Sequence, residues 1–469
     1  MTVSVNIRRE PPHYPTRSPL GVLPEIRRDS LAFMRRIEQF DAPIVSYRTA
    51  HKQTYLFKHP EAVRHALQEH VRNYTKEHVS YNLVSWIAGR GLFTSTGDHW
   101  LRQRRLAQPA FHRQRIAAMI DMMASSADTQ LDTWAHTADG AHVDVEALLT
   151  PLTLQIVGQA LFGTGVADQA QQVSRNFNEL SAQLVRRFRS GNVIKPFMPF
   201  GPDRAWNHAI DDIHRVVASI IAVRRASDED HGDLLTMFMQ AVDEDTGERM
   251  TDAQLRDEVL TMILAGHETT ATTLMWTLIL LAQNPDVLTK LRAEVDVFGD
   301  TPLTIESLAQ LPYTRMVIDE SLRIRPPVYI LSRLVKADDV VCGYHIPAGS
   351  WVDLSPYITH RLPAFWVEPE RFLPERFAPG THSERPKYAY YPFLGGPRLC
   401  IGQQLALVEA QIVLARLVRR YDLQLLSNAD PVPDPLITLR PKGGLQMRLM
   451  RRPYRGAWWR ASPAQRSRG

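Results

Sequence analysis

The stretch from Phe393 to Gly402 reads Phe-Leu-Gly-Gly-Pro-Arg-Leu-Cys-Ile-Gly and places one of the chain's two cysteines in a glycine-rich loop. Its glycines permit backbone conformations that side chains forbid, and Pro397 fixes one dihedral angle. The loop leads directly into an apolar helix, so its backbone N–H groups can point at the sulfur of Cys400. Such donors beside a helix N-terminus stabilise a thiolate, the form of cysteine that binds iron. The alternative is that Cys400 is a small buried hydrophobic residue, as most free cysteines are.

The composition is that of a globular protein, with 44% hydrophobic and 22% charged residues in a chain of 469. The two cysteines, Cys342 and Cys400, indicate a reducing compartment rather than a disulfide framework. Residues 1–28 contain no apolar run of signal or anchor length, and the most apolar run, Leu274 to Ala282, is too short to span a bilayer. We therefore expect a soluble, cytoplasmic protein with no transmembrane anchor.

The charge is mildly basic, with 55 basic against 50 acidic residues and a net charge of +5. This is a mixed surface, and no nucleic-acid-binding motif accompanies it, so nucleic acid is not an expected partner. The excess is concentrated between Trp100 and Ile116, where no acidic residue occurs and five arginines do: Arg102, Arg104, Arg105, Arg113 and Arg115.

A long helix is predicted from the Thr251-Asp252 cap to Gln283, a length of about 50 Å. Its ends are apolar, but its centre reads Ala265-Gly266-His267-Glu268-Thr269-Thr270. A core helix accepts such residues where a local opening and polar atoms are needed. A zinc-protease HExxH is excluded because position 271 is alanine. Two alternatives stay open: Thr270 could bond to a carbonyl one turn earlier, and Glu268 could lie on a solvated face.

Three weaker patterns flank this helix. Trp100 and Arg104 stand four apart on one helical face, although such pairs are often surface stacks. Glu320 and Arg323 stand three apart and can pair, as many exposed residues do. Arg376 lies some fifty residues further on, within Trp366-x-x-Pro-x-x-Phe-x-Pro-Glu-Arg-Phe.

Together these stretches resemble, in content and order, the motifs of the cytochrome P450 family of haem-thiolate monooxygenases. The resemblance covers roughly residues 40 to 450 and implies a mainly α, triangular haem domain with a small β portion. It makes Cys400 the axial ligand of the iron of haem b. The other residues that the resemblance places at the haem are Phe393, Gly396 and Gly402 in the loop, and Trp100, Arg104, Arg333 and Arg398 near the propionates. It also implies a structural triad of Glu320, Arg323 and Arg376. For Arg333, a surface role is a competing interpretation.

The implied reaction inserts one oxygen atom of O2 into a C–H or C=C bond of a hydrophobic small molecule. Glu268 would start a proton relay, and Thr269 would supply the hydroxyl that positions the reacting oxygen and its water. Electrons would come from a separate ferredoxin or flavodoxin with its reductase, docked on the arginine run at 102–115. A peroxide-using or isomerising enzyme is the alternative function, and a non-enzymatic haem sensor is a further one.

The predicted organisation is a proline-bearing arm at 1–40, the haem domain at 41–450 and a basic, disordered tail at 451–469. Two short strands are expected at Ile44–Tyr47 and Thr54–Phe57, an irregular segment at 73–96, and a helix-separating connection at 196–202. The substrate walls are expected at 74–95, 261–269 and 328–331. These segments are mainly apolar, which leaves a terpenoid, a fatty acid and a polyketide equally open.

Overall fold

A computed structural model describes residues 9–163, 167–190, 201–226, 231–299, 301–381, 384–427 and 431–452. Residues 1–8 of the predicted arm, most of the connection predicted at 196–202 and the tail from residue 453 lie outside this part of the chain. The helices are α1 Leu23–Glu38, α2 Pro60–Arg64, α3 Val79–Ala88, α4 Gly97–Ala107, α5 Arg113–Ala118, α6 Ile120–Asp132, α7 Val145–Phe162, α8 Ala167–Ser190, α9 Pro202–Ala226, α10 Leu234–Gln240, α11 Asp252–Gln283, α12 Pro285–Phe298, α13 Ile305–Leu308, α14 Pro312–Ile324, α15 Pro356–Thr359 and α16 Gln403–Arg420.

Four small sheets accompany these helices in the described residues. The largest has the strand order β1-β2-β8-β5-β3, with β2 and β8 parallel and the other neighbours antiparallel. The others are the three-stranded sheet β4-β12-β9 and the hairpins β6–β7 and β10–β11. The strands are β1 Ile44–Thr49, β2 Lys52–Phe57, β3 Tyr74–Thr75, β4 His142–Asp144, β5 Leu331–Val335, β6 Asp339–Val341, β7 Tyr344–Ile346, β8 Trp351–Leu354, β9 Tyr421–Leu425, β10 Pro433–Pro435, β11 Leu439–Pro441 and β12 Gln446–Arg451.

The central helix α11 has the boundaries that the sequence predicts. The Thr251 hydroxyl accepts a bond from the Gln254 N–H, and the Gln254 side chain accepts one from the Thr251 N–H, which forms a capping box. Helix α7 packs along α11, and a Cβ added at Gly266 would lie 2.8 Å from Cγ2 of Val157 on α7. On the side of α11 that faces α7, the absence of a side chain at Gly266 therefore allows the two helices to pack closely and does not widen the space between them.

The arm predicted at 1–40 and the segment predicted at 73–96 both contain helical structure. In the arm, helix α1 begins at Leu23 and is interrupted at Asp29, whose φ of −162° and ψ of 95° are not helical. The segment at 73–96 is not irregular throughout, because it contains β3 and the ten-residue helix α3. Helix α3 is capped by His78, whose ring accepts a bond from the Ser80 N–H, and histidine is not among the usual capping residues.

One helix of the described residues, Val145–Phe162, is long and apolar enough to cross a membrane by length and composition alone. However, 61% of Val145–Phe162 is buried inside the fold, and its packing against α11 gives that apolar surface a place in the protein core.

Candidate active site

The loop that carries Cys400 is held in one shape by close backbone contacts. Gly396 has a φ of +62°, and a Cβ added there would lie 1.9 Å from the carbonyl oxygen of Leu67. The Cys400 N–H donates to the Phe393 carbonyl oxygen at 2.9 Å, which closes the loop. Phe393 itself packs against the main hydrophobic core. The predicted need for glycine at 396 therefore has two physical causes, its positive φ and the contact with Leu67.

The side chain of Cys400 is accessible although it lies deep within the protein. Burial raises the pKa of its thiol, while a hydrogen bond from the Gly402 N–H and the charge of Arg104 oppose that rise. The Gly402 N–H is one of the donors predicted at the sulfur, but neither it nor Arg104 outweighs burial, and a metal ion bound to the sulfur would favour the thiolate. A Cβ added at Gly402 would meet nothing within 4 Å, which leaves space beside the sulfur.

Helix α4 and the cysteine loop meet through stacked and hydrogen-bonded arginines. The guanidinium of Arg398 lies 3.6 Å from the centre of the Trp100 ring and donates to the Ser95 carbonyl oxygen at 3.0 Å. Arg104, one turn after Trp100, donates to the Leu399 carbonyl oxygen at 2.9 Å. The predicted Trp100 and Arg104 pair thus borders the cysteine loop.

Two more cations, Arg333 and Lys76, lie in the same neighbourhood and are buried. Arg333 is only 2% exposed, which excludes the surface role considered for it. Its Nη1 donates to the Tyr81 hydroxyl at 2.6 Å, whereas its Nη2 has no hydrogen-bond partner. Lys76 donates to the Phe93 carbonyl oxygen at 2.7 Å.

These four cations, Lys76, Arg104, Arg333 and Arg398, have no carboxylate partner among the residues that the structure describes. Burial lowers the pKa of Arg398 to about 9, with Arg333 and Arg104 adding repulsion. Burial, with repulsion from Arg333 and Arg398, also lowers the pKa of Lys76 well below its ordinary value. Buried charges are normally paired, so this cluster fits a ligand that carries at least two negative charges.

The polar centre of α11 forms a second group of candidate residues. The half-buried Glu268 carboxylate accepts a bond from the Thr438 hydroxyl at 2.7 Å, so it faces the residues before β11 rather than an open helix surface. Thr270 donates to the Gly266 carbonyl oxygen at 3.1 Å, which is the alternative left open for its hydroxyl. The Thr269 hydroxyl also donates to a carbonyl one turn earlier, that of Ala265, at 2.7 Å. Its oxygen therefore remains free to accept a hydrogen bond.

A cavity of about 260 Å³ lies beside Glu268, between α7, α8, α11 and the hairpin β10–β11. Its lining combines the charged groups of Glu146, Glu268 and Arg440 with apolar side chains. Burial raises the pKa of the Glu146 carboxyl, and Arg440 opposes that rise. The buried hydroxyl of Ser181, on the same wall, has no protein partner. The cavity has the size and polarity to hold several water molecules.

The triad predicted away from the loop is present and buried. Arg323 and Glu320 have fully buried side chains and form two parallel bonds, of 2.7 and 2.8 Å. Arg376 donates to the same carboxylate at 3.3 Å, and the Leu373 N–H donates to it at 2.9 Å. The exposed-pair alternative is therefore wrong for Glu320 and Arg323.

The arginine run at 102–115 is partly neutralised by acidic residues from distant parts of the chain, which its local sequence does not reveal. Arg104 instead bonds a carbonyl oxygen at the cysteine loop. The acidic pairs are Arg102 with Glu248 at 3.1 Å, Arg105 with Asp243 at 2.9 Å and with Asp245, and Arg113 with Glu306 at 2.9 Å.

Comparison with known proteins identifies the family. The sequence profile of the family described as Cytochrome P450 matches residues 11–447. The chain belongs to the cytochrome P450 family. Among curated P450 relatives, cyclooctatin synthase of Streptomyces melanosporofaciens is 32% identical over 405 residues, which cover 86% of each chain. Cyclooctat-9-en-7-ol 5-monooxygenase of the same organism is 32% identical over 413 residues, 86% of this chain and 87% of that protein.

A relative from a second organism and a solved structure point to the same family. Taurochenodeoxycholic 6 alpha-hydroxylase of Sus scrofa is 32% identical over 406 residues, 81% of this P450 and 79% of that protein. The crystal structure of the cytochrome P450DA haem domain matches with a TM-score of 0.83 and 26% identity, over 95% of this chain and 98% of that one. The expected fold is confirmed.

Family membership makes this P450 an oxidoreductase of the monooxygenase class, which uses haem iron, O2, a substrate and a redox partner. The residues present fit a haem group, because its two propionates would supply the negative charges that the buried Lys76 and Arg333 and the half-buried Arg104 and Arg398 lack. The structure gathers Trp100, Arg104, Arg333 and Arg398 around the cysteine loop. Within the described residues no hydrogen bond or ion pair joins this group to Glu268 and Thr269.

Sequence reasoning missed several residues of the site. Lys76 and Tyr81 were placed only within a broad wall segment, and Glu146, Thr438 and Arg440 were not singled out at all. None of these five belongs to a short motif, and each reaches the site through packing between distant segments. The one available signal was Lys76, a charged residue within the mainly apolar segment 74–95, because a charge buried there would require a partner of opposite charge.

Proposed function

We propose that this P450 binds haem b with Cys400 as the axial ligand and with Trp100, Arg104, Arg333 and Arg398 at the propionates. The observation that carries the proposal is the cluster of buried and half-buried cations without carboxylate partners next to an accessible thiol. Lys76 joins this cluster as a further propionate-binding candidate. Phe393, Gly396 and Gly402 would shape the loop, and residues 41–450 would form the haem domain.

When bound, haem iron with a thiolate ligand supplies the binding and reductive activation of O2. Glu268 would hold a proton at its carboxylate and move it inward, and the Thr438 hydroxyl, 2.7 Å away, would fix the orientation of that carboxylate. Thr269, with its hydrogen engaged by the Ala265 carbonyl, would accept a bond from a water through its free lone pairs.

The cavity beside Glu268 would supply that proton from solvent. Glu146 lines the cavity together with Glu268, and burial raises the pKa of its carboxyl. Waters between the two carboxyls would complete the path. Glu320, Arg323 and Arg376 would have a structural role only, because their side chains bond one another and nearby backbone rather than facing this cavity.

We propose a hydrophobic cyclic molecule with few polar groups as the substrate. Support comes from the mainly apolar segments 74–95, 261–269 and 328–331, and from a relative whose name specifies cyclooctat-9-en-7-ol. Among the open classes, this name favours a cyclic, terpenoid-like alcohol over a fatty acid. Cyclic alkenols are therefore the first compounds to screen for the spectral change that accompanies displacement of iron-bound water.

We propose a ferredoxin or flavodoxin with its reductase as the electron donor, in a soluble, cytoplasmic setting. An acidic donor would dock on the arginine run at 102–115, where Arg113 is 71% exposed and its pair with Glu306 is exposed too. An exposed pair costs well under about 1 kcal/mol to exchange for a new partner. Arg113→Glu should slow haem reduction at low salt, whereas Arg215→Glu, which breaks an exposed pair on α9, should not. Equal rates in both variants would contradict docking at this run.

The function is tested by two variants and one comparison of oxidants. Cys400→Ala should abolish the red-shifted Soret band of the ferrous carbonyl adduct. Thr269→Ala should release more peroxide per substrate molecule oxidised, and unchanged coupling would remove Thr269 from the proposed role. Turnover with O2 and a reductant, compared with turnover on peroxide alone, separates a monooxygenase from a peroxide-using enzyme.

A further inference from the structure

Two histidines and one aspartate meet where the π-helical turn His65–Glu69 faces the hairpin β6–β7. The nitrogen and oxygen atoms that could bind a metal in His65, His70 and Asp339 all lie within 4.8 Å of one another. Nε2 of His65 is 2.9 Å from Oδ2 of Asp339, and Nδ1 of His70 is 4.0 Å from the same oxygen. We propose that these three side chains bind a divalent transition metal, with Zn²⁺ as the best match to two imidazoles and a carboxylate.

The π turn is what brings the two imidazoles together. The His70 N–H donates to the His65 carbonyl oxygen at 2.8 Å, a bond between residues five apart. In an ordinary α-helix, residues five apart point in directions that differ by about 140°. Here the rings stack, with centroids 3.9 Å apart and planes at 10°. Such turns are rare and often occur at functional sites.

Hydrogen-bond donors around Asp339 fix the orientation of its carboxylate. The Tyr74 hydroxyl donates to Oδ2 of Asp339 at 2.9 Å, and the Val340 N–H donates to Oδ1 at 2.8 Å. On the opposite edge of the His65 ring, Oε2 of Glu69 lies 4.0 Å from Nδ1. Outer partners of this kind fix the tautomer and direction of metal-binding side chains.

Two of the three candidate ligands are largely buried and the third is exposed. The side chains of His65 and Asp339 are only 15% and 12% exposed, whereas that of His70 is 51% exposed. Tetrahedral Zn²⁺ places its ligand atoms about 3.4 Å apart, so the His70 ring has to swing out of the stack toward Asp339. Zn²⁺ would replace the proton between His65 and Asp339, and water would fill the position open to solvent.

Binding is tested on the haem-loaded protein without a histidine tag, after treatment with a chelator, by calorimetric titration with Zn²⁺. We expect one tight site per chain. His70→Ala should weaken it at least about tenfold, the scale on which even outer partners affect metal affinity. His136→Ala removes an exposed histidine near β4 and should change nothing. Equal affinity in wild type and His70→Ala, or weak binding with no defined stoichiometry, would overturn the proposal.

A second measurement does not depend on a ligand substitution. Diffraction data collected at the zinc absorption edge, well separated from that of iron, should show an anomalous peak beside Asp339. Glu69→Gln keeps all three ligands and should lower the affinity by less than His70→Ala does. A zinc peak elsewhere, with none beside Asp339, would refute the assignment even if the calorimetric stoichiometry were one.

Discussion

Replacing Arg398 by glutamine should have opposite effects on the haem-free and the haem-bound protein. Burial, with repulsion from Arg333, lowers the pKa of Arg398 to about 9 in the cationic cluster, well below the ordinary value of an arginine. At 1.36 kcal/mol per pKa unit, its charge costs up to about 5 kcal/mol there. Arg398→Gln also loses the contact with Trp100, worth about 2 kcal/mol, and part of a hydrogen bond worth about 1 kcal/mol. The haem-free protein should therefore gain about 2 kcal/mol of stability.

Haem binding should weaken in the same variant. A hydrogen bond to a charged partner contributes about 1.5–3 kcal/mol, which corresponds to roughly a 10- to 150-fold faster loss of haem. Urea unfolding of the haem-free protein and transfer of haem to a scavenger protein measure the two effects. Arg113→Gln, at an exposed pair, should change each by less than about 0.5 kcal/mol. If Arg398→Gln destabilised the haem-free protein, the inference that the cationic cluster is a binding site for an anionic ligand would be refuted.

Three further predictions concern buried or partly buried carboxyls. Burial raises the pKa of Glu258 from 4.5 to about 8, so the folded state keeps a proton that the unfolded state loses, and stability falls by about 1.4 kcal/mol per pH unit between those values. Glu258→Gln should flatten that decline in urea midpoints measured from pH 5 to 8, and parallel curves would contradict it. Glu320→Ala should cost about 3–5 kcal/mol in chemical unfolding, because it leaves Arg323 buried without its carboxylate, and a loss below about 1 kcal/mol would be inconsistent with the buried pair. Glu146→Gln should slow O2 consumption with an unchanged substrate dissociation constant, whereas an unchanged rate would remove Glu146 from the proton path.

The cysteine loop shows what could be predicted from sequence. Gly396, Arg398 and Cys400 lie within five residues, so their spacing along the chain was enough to predict the loop and its candidate metal-binding thiol. The boundaries of α11 follow in the same way from a cap at Thr251 and a proline at 285. Local sequence encodes such features because the interacting groups are neighbours along the chain.

Other features depend on contacts between distant residues and could not be predicted. The burial of Arg333 depends on Tyr81, 252 residues earlier. The packing role of Gly266 requires Val157 on another helix. The charge of the arginine run is offset by partners such as Glu306, almost two hundred residues from Arg113. For such residues the sequence shows the type of side chain but not its neighbours.

The hairpin β10–β11 is attached to α11 at two consecutive residues: Thr438 through its hydroxyl to Glu268, and Leu439 through its carbonyl oxygen to the indole N–H of Trp276. Libraries that seek new product selectivity should therefore randomise Leu436 and Ile437, which line the neighbouring cavity, and keep Thr438 constant. Altering Thr438 would change product selectivity and the orientation of Glu268 together. A screen for product yield alone would then discard variants whose cavity suits the new product but whose proton supply is impaired.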